Sequence, residues 1–151
     1  MLVCREIQWD MGHRILSHQS VCKNLHGHRY RAEVCLTGSI IDNKSASSNG
    51  MVIDFGDIKK IAEQSVLNKL DHSFMYWKED KILLDFFSNN AELKSVSVPF
   101  TPTVENIAKW IFEQLEPRFR ERFGTDSHLY SIKIFETPSC FAIYKQGNDS
   151  G

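Results

Sequence analysis

Three observations in the sequence predict an α+β fold: two early stretches of alternating apolar and polar residues, two helix-period apolar faces behind capping residues, and a second alternating pair near the end. The predicted order is two strands, helix, helix, two strands. This order suits a four-stranded antiparallel sheet with both main helices on one face, in a single domain over residues 1–151.

From Val3 to Ile15 the positions Val3, Ile7, Trp9, Met11, His13 and Ile15 alternate with Glu6, Gln8 and Asp10, which predicts a first strand. The second runs from His28 to Ile40. Tyr30, Ala32, Val34 and Leu36 share the parity of His26 and His28, while Arg29, Arg31, Glu33 and Thr37 take the other. Asp42 to Gly50, rich in Ser, Asn and Gly, reads as a mobile hairpin loop. Asp54 as N-cap and Asp57 in an acidic first turn start a helix with Phe55, Ile58, Ile61, Ala62 and Val66 on one face, ending near Lys69. Ser73 to Val98 offers only the apolar cluster Ile82, Leu83, Phe86 and Phe87, which suggests one short helix. Val96 to Phe100 is extended. Thr101-Pro102-Thr103 opens the second main helix, with Ile107, Ala108, Ile111, Phe112 and Leu115 on its buried face. Pro117 is expected to kink or restart it, with Phe119 to Phe123 as a separate turn, before Gly124 ends it. Tyr130, Ile132, Ile134 and Glu136 share one strand parity, so a carboxylate ends an apolar row. Thr137-Pro138 then turns the chain into a last strand over Cys140 to Gln146, followed by a polar tail.

Composition sets bounds. With 42% hydrophobic residues in 151, the chain can bury a core of ordinary size. A net charge of -1, with Arg29, Arg31, Arg118, Arg120 and Arg122 interleaved with acids, disfavours a nucleic-acid partner. No apolar run approaches the roughly 20 residues a membrane span needs, and Met1 to Arg14 lacks signal-peptide character. These features predict a cytoplasmic protein with no membrane partner. Cys4, Cys22, Cys35 and Cys140 are scattered, which predicts reduced thiols serving mostly as core filler.

The chemistry concentrates in Cys22-Lys-Asn-Leu-His-Gly-His-Arg-Tyr30. His26 and His28, two apart on a strand, project from the same face and form a bidentate clip. An antiparallel pairing of the first two strands would add His13. Three neutral imidazoles suit Zn2+ and leave a fourth position open for catalysis. Cys22 as a fourth ligand would instead close a structural site, and spacing alone does not separate the two. A chain with an adequate core has no need of a metal staple, which weighs against closure. Asp71-His72 places a carboxylate beside an imidazole at a helix exit. Metalloprotease and deaminase spacings, a P-loop and a nucleophile elbow are absent.

Trp9 to His13, the Cys-x3-His-Gly-His of Cys22 to His28, Val52-Ile53-Asp54-Phe55, Leu70-Asp71-His72, Pro102-Thr103-Val104-Glu105-Asn106 and Phe135-Glu136-Thr137 follow one another in an order that resembles the 6-pyruvoyl-tetrahydropterin synthase family. The three-residue spacer after Cys22 is similar to the family's 6-carboxy-tetrahydropterin branch. Departures are Trp9, Gly12 and the long Ser73 to Ser95 stretch. The resemblance implies the tunnelling fold, a homo-oligomer, by family likeness a hexamer, and pterin sites at subunit interfaces. It implies zinc on His13, His26 and His28, Cys22 as general base, Asp71 and His72 as proton relay, Glu136 as pterin anchor, and Thr103 and Glu105 at the substrate. The implied reaction converts 7,8-dihydroneopterin triphosphate to 6-carboxy-5,6,7,8-tetrahydropterin, with release of acetaldehyde and triphosphate, on the route to queuosine and related deazaguanines. Its alternatives are 6-pyruvoyl-tetrahydropterin synthesis from the same substrate, and a non-catalytic zinc-stapled oligomer that binds pterin or a protein.

Overall fold

In the computed structural model, which describes residues 1–145 and 147, the chain forms one curled, mixed sheet of six strands whose inner face packs against the two main helices in one core. The strands are β1 (Leu2–His13), β2 (His26–Gly38), β3 (Ser73–Trp77), β4 (Ser95–Val98), β5 (Ser127–Thr137) and β6 (Cys140–Lys145), in the spatial order β4-β3-β1-β2-β5-β6. β1 and β2 pair antiparallel along their length, from Leu2 opposite Thr37 to His13 opposite His26. Alternation sends Ile7, Trp9, Met11, Tyr30, Ala32, Val34 and Leu36 inward, all at most 5% exposed.

The expected four-stranded sheet is corrected to six. β3 and β4 are five and four residues long, too short for alternation to show, and they join in parallel, β1 to β3 over Met11–His13 and β3 to β4 from Phe74 to Trp77. The expected short helix exists as α2 (Lys81–Asn89), the crossover that parallel strands require.

The two main helices stand on one face, as expected. Helix α1 (Phe55–Ala62) starts where the Asp54 carboxylate accepts from the Gly56 N–H at 2.7 Å. It continues through a π-helical turn (Glu63–Leu67) into Asn68–Leu70. Helix α3 (Val104–Phe123) runs through Pro117 without a break, contrary to the expected restart, because Leu115 and Phe119 on either side are fully buried. Gly124 ends it at φ 61°, a left-handed conformation suited to glycine. Ile58, Ala62, Val66, Ile107, Ile111, Leu115 and Phe119 close one core with the inner sheet face.

Four further expectations change. The Asp42 to Gly50 loop leads from β2 into α1 and closes no hairpin. The single parity assigned to Tyr130, Ile132, Ile134 and Glu136 in β5 breaks at a bulge, where Cys35 opposes Ser131 but Leu36 opposes Leu129, so Tyr130 turns out to 40% exposure while Leu129, Ile132 and Ile134 are buried. Cys4 and Cys35 form a disulfide across β1 and β2, where register sets them directly opposite, instead of two thiols. Of the four cysteines only Cys35 is buried, so they are not core filler: Cys4 and Cys140 are exposed and Cys22 is half-buried. Gln146, the expected end of the last strand, lies outside the described residues, as does the tail beyond Gly147. Among the described residues no helix is long and apolar enough to cross a membrane.

Candidate metal and substrate site

The end of the β1–β2 ladder builds the first cluster. Met11 opposes His28 and His13 opposes His26, so strand alternation turns three imidazoles to the inner face, and one ring nitrogen of each lies within 4.8 Å of the others. The close approach of the two strands needs Gly27, where a Cβ would come 2.9 Å from the Met11 carbonyl oxygen.

Two carbonyls set the tautomers. His13 Nδ1 donates to the Pro102 carbonyl at 2.8 Å and His26 Nδ1 to the Asn24 carbonyl at 2.7 Å, which leaves the Nε2 lone pair of each free to ligate. His13 Nε2 is buried with no hydrogen-bond partner, an arrangement that costs stability unless something occupies the lone pair. Burial holds the pKa values of His13 and His28 below the ordinary histidine value, keeping them in the neutral form that metals take. A borderline divalent cation fits this donor set. Beneath the rings lies Tyr30, fully buried and stacked on Trp9 with centroids 5.4 Å apart. Its hydroxyl pKa is raised, chiefly by burial.

Glu136 completes the inner cluster. In β5 Phe135 opposes Phe141 and Thr137 opposes Cys140, so Glu136 is the extra residue of a second bulge. The bulge aims its carboxylate at the histidines, with Oε1 3.5 Å from His13 Nε2 and 3.9 Å from His28 Nε2.

Asp71 and His72 form a separate cluster with Asp10. Asp10 and Arg29 lie on the outer sheet face, since their neighbours Met11 and His28 point inward. His72 Nδ1 is 3.0 Å from Asp71 Oδ1, and the same oxygen accepts from the Asp10 backbone N–H at 3.1 Å. That backbone hydrogen bond, first among the causes, lowers the Asp71 pKa. His72 is the one non-glycine at positive φ among the described residues, at 59°. Its N–H donates to the Asp10 carbonyl at 2.8 Å and Lys94 Nζ donates to the Asp71 carbonyl at 2.6 Å, so the surroundings hold the strained turn.

Cys22 sits half-buried in the 3-10 turn Val21–Lys23 of the β1–β2 connection, outside both clusters. Thr103 caps α3, its hydroxyl accepting from the Asn106 N–H at 3.4 Å, next to the Pro102 carbonyl that holds His13. Glu105 is exposed in the first turn of α3. The structure thus unites His13, His26, His28 and Glu136, and keeps Asp71 with His72 elsewhere. Sequence reasoning missed the carbonyls of Asn24 and Pro102, for which no sequence signal exists, and the pair of half-buried Arg14 with buried Asp80 at 2.6 Å, which ties the end of β1 to the start of α2.

The model of the 6-pyruvoyl tetrahydropterin synthase family matches residues 2–147. A 6-carboxy-5,6,7,8-tetrahydropterin synthase of Haemophilus influenzae is 33% identical over 95% of this chain and 98% of that protein. One of Rickettsia bellii is 37% identical over 93% of this chain and 98% of that protein. The 6-pyruvoyl tetrahydropterin synthase structure of Caenorhabditis elegans superposes with a TM-score of 0.65 at 26% identity, covering 97% of this chain and 96% of that one. Agreement along nearly the whole chain, with the histidine cluster inside the matched region, means that this chain belongs to the 6-pyruvoyl tetrahydropterin synthase family.

Proposed function

We propose that the protein is a cytoplasmic 6-carboxy-5,6,7,8-tetrahydropterin synthase, converting 7,8-dihydroneopterin triphosphate and one water to 6-carboxytetrahydropterin, acetaldehyde and triphosphate for queuosine and other 7-deazaguanines. The carrying observation is the convergence of three imidazoles beside one carboxylate, with the Nε2 lone pairs of His13 and His26 left free by the carbonyls that hold their Nδ1 atoms, in a chain whose near full-length relatives bear that name.

His13, His26 and His28 would hold Zn2+, which three imidazoles suit and leave open on one side. Bound there, the ion supplies Lewis acidity toward the hydroxyls of the substrate side chain. Glu136 anchors the pterin by accepting from its 2-amino and ring N–H edge, with Thr103 and Glu105 bordering the ligand. Cys22 acts as general base, taking a proton from the substrate side chain. Asp71 orients His72, which exchanges protons with the reacting side chain. Because the Asp71–His72 cluster stands apart from the histidine cluster within one chain, we place the complete site between subunits of a homo-oligomer, a hexamer by family likeness. Among the described residues the outer edges of β4 and β6 have no strand beside them, and pairing with neighbouring subunits would cover them.

The second reading, 6-pyruvoyl-tetrahydropterin synthesis, draws on the family model's description and the Caenorhabditis elegans neighbour. Incubating zinc-loaded protein with dihydroneopterin triphosphate separates the two. Acetaldehyde with a 6-carboxypterin product supports the proposal, triphosphate release that keeps every side-chain carbon supports the second reading, and no turnover refutes both.

A further inference from the structure

The site described so far accounts for the pterin ring and its side chain and leaves the triphosphate without a partner. A chain of net charge -1 has no overall field to hold a polyanion, so recognition has to be local.

The β2–β5 ladder stops at Arg31, opposite Phe135, and β5 then leaves through the Glu136 bulge. From His26 to Tyr30 the β5-facing edge of β2 is therefore open. A cleft of about 480 Å³ follows this edge, bordered by His28, Arg29, Arg31, Phe135 and Glu136. Strand alternation places His28 on the inner face and Arg29 and Arg31 on the outer, so the cleft joins the two faces past the strand edge. Arg29 and Arg31 are its bordering cations.

Both guanidiniums are positioned, and their present partners are on the surface. Arg29, 72% exposed, grips both carboxylate oxygens of Asp10 at 3.0 Å, a forked geometry that equally fits two phosphate oxygens. Arg31 lies over the Phe135 ring, 3.8 Å from its centroid, and holds the exposed Glu6 at 2.9 Å. Ion pairs this open to water contribute little, so an incoming phosphate can displace either carboxylate.

We propose that Arg29 and Arg31 are the triphosphate arm of the substrate site. With the pterin on Glu136, the triphosphate follows the open β2 edge onto the two guanidiniums, which exchange Asp10 and Glu6 for phosphate oxygens and stabilise the charge the leaving triphosphate acquires. This rests on the pterin reading above.

The test is calorimetric binding of neopterin triphosphate, neopterin and inorganic tripolyphosphate to the zinc-loaded wild type, R29Q, R31Q and the double variant, each checked for intact assembly. Removing both charge-assisted forks should weaken neopterin triphosphate by about tenfold or more and flatten its salt dependence, while neopterin stays within about twofold. R29K and R31K should recover part of the loss. Unchanged triphosphate affinity in the double variant, or an equal loss for neopterin, overturns the proposal. If neopterin fails to bind the wild type at all, the pterin reading falls and the arm falls with it, whereas loss confined to the phosphate-bearing ligands supports both.

Discussion

Replacing Glu136 by Gln tests the centre of the proposed site, because two roles compete for its carboxylate. Its Oε1 lies 3.5 Å from His13 Nε2 and 3.9 Å from His28 Nε2, close enough that a small shift would make it a fourth ligand, yet its bulge also presents it to a ligand in the cleft. Gln keeps the shape and exchanges one acceptor oxygen for an NH2 donor. Against the 2-amino and ring N–H donors of a pterin, one hydrogen bond to a charged group is lost and a donor meets a donor. A hydrogen bond to a charged group contributes about 1.5–3 kcal/mol, so the combined loss should be about 2–4 kcal/mol, on the order of 30- to 1,000-fold in Kd. Calorimetric titration of the zinc-loaded variant with sepiapterin reads that loss, and atomic absorption in parallel reads the metal. The expected result is a weakened pterin with metal retained. Unchanged sepiapterin affinity in an intact oligomer would remove Glu136 from the pterin site, and loss of metal would make it a ligand.

His28→Ala should release the metal, whereas Cys22→Ala should retain it and abolish turnover, since Cys22 stands outside the histidine cluster; metal loss from Cys22→Ala would refute its role as base and favour a closed structural site. In the metal-free protein, burial keeps the His13 and His28 pKa values below the unfolded value of about 6.5, so the unfolded chain binds more protons in between. Stability should therefore be full above about pH 6.5 and decline as pH falls through the window down to the folded-state pKa values, and a melting temperature that holds steady from pH 7 to pH 5 would contradict this. The protein should also sediment as a homo-oligomer whose dissociation by dilution ends turnover, and a monomer of full specific activity would refute the shared site.

What one segment encodes within itself was legible in the sequence. Alternation in β1 and β2 put His13, His26 and His28 on one face, Asp54 and the Thr101-Pro102-Thr103 entry marked the starts of α1 and α3, and the apolar periods named Ile58, Ala62, Val66, Ile107, Ala108, Ile111, Phe112 and Leu115, which are buried, although Phe55 on the first of these faces is 48% exposed. Glu136 stood out as a carboxylate ending an apolar row, although the reason for its aim, a bulge, did not. Only the tertiary structure decided what depends on partners far along the chain. The parallel additions of β3 and β4 rest on strands too short to show a period, and the Cys4–Cys35 bond depends on a register linking residues 31 apart. His13 receives its tautomer from Pro102, 89 residues away, and Asp71 is held by a backbone N–H 61 residues away. Periodicity is local because each side chain's direction follows from its own backbone, whereas tautomer, bulge and register are set by whichever atoms the folded chain brings alongside.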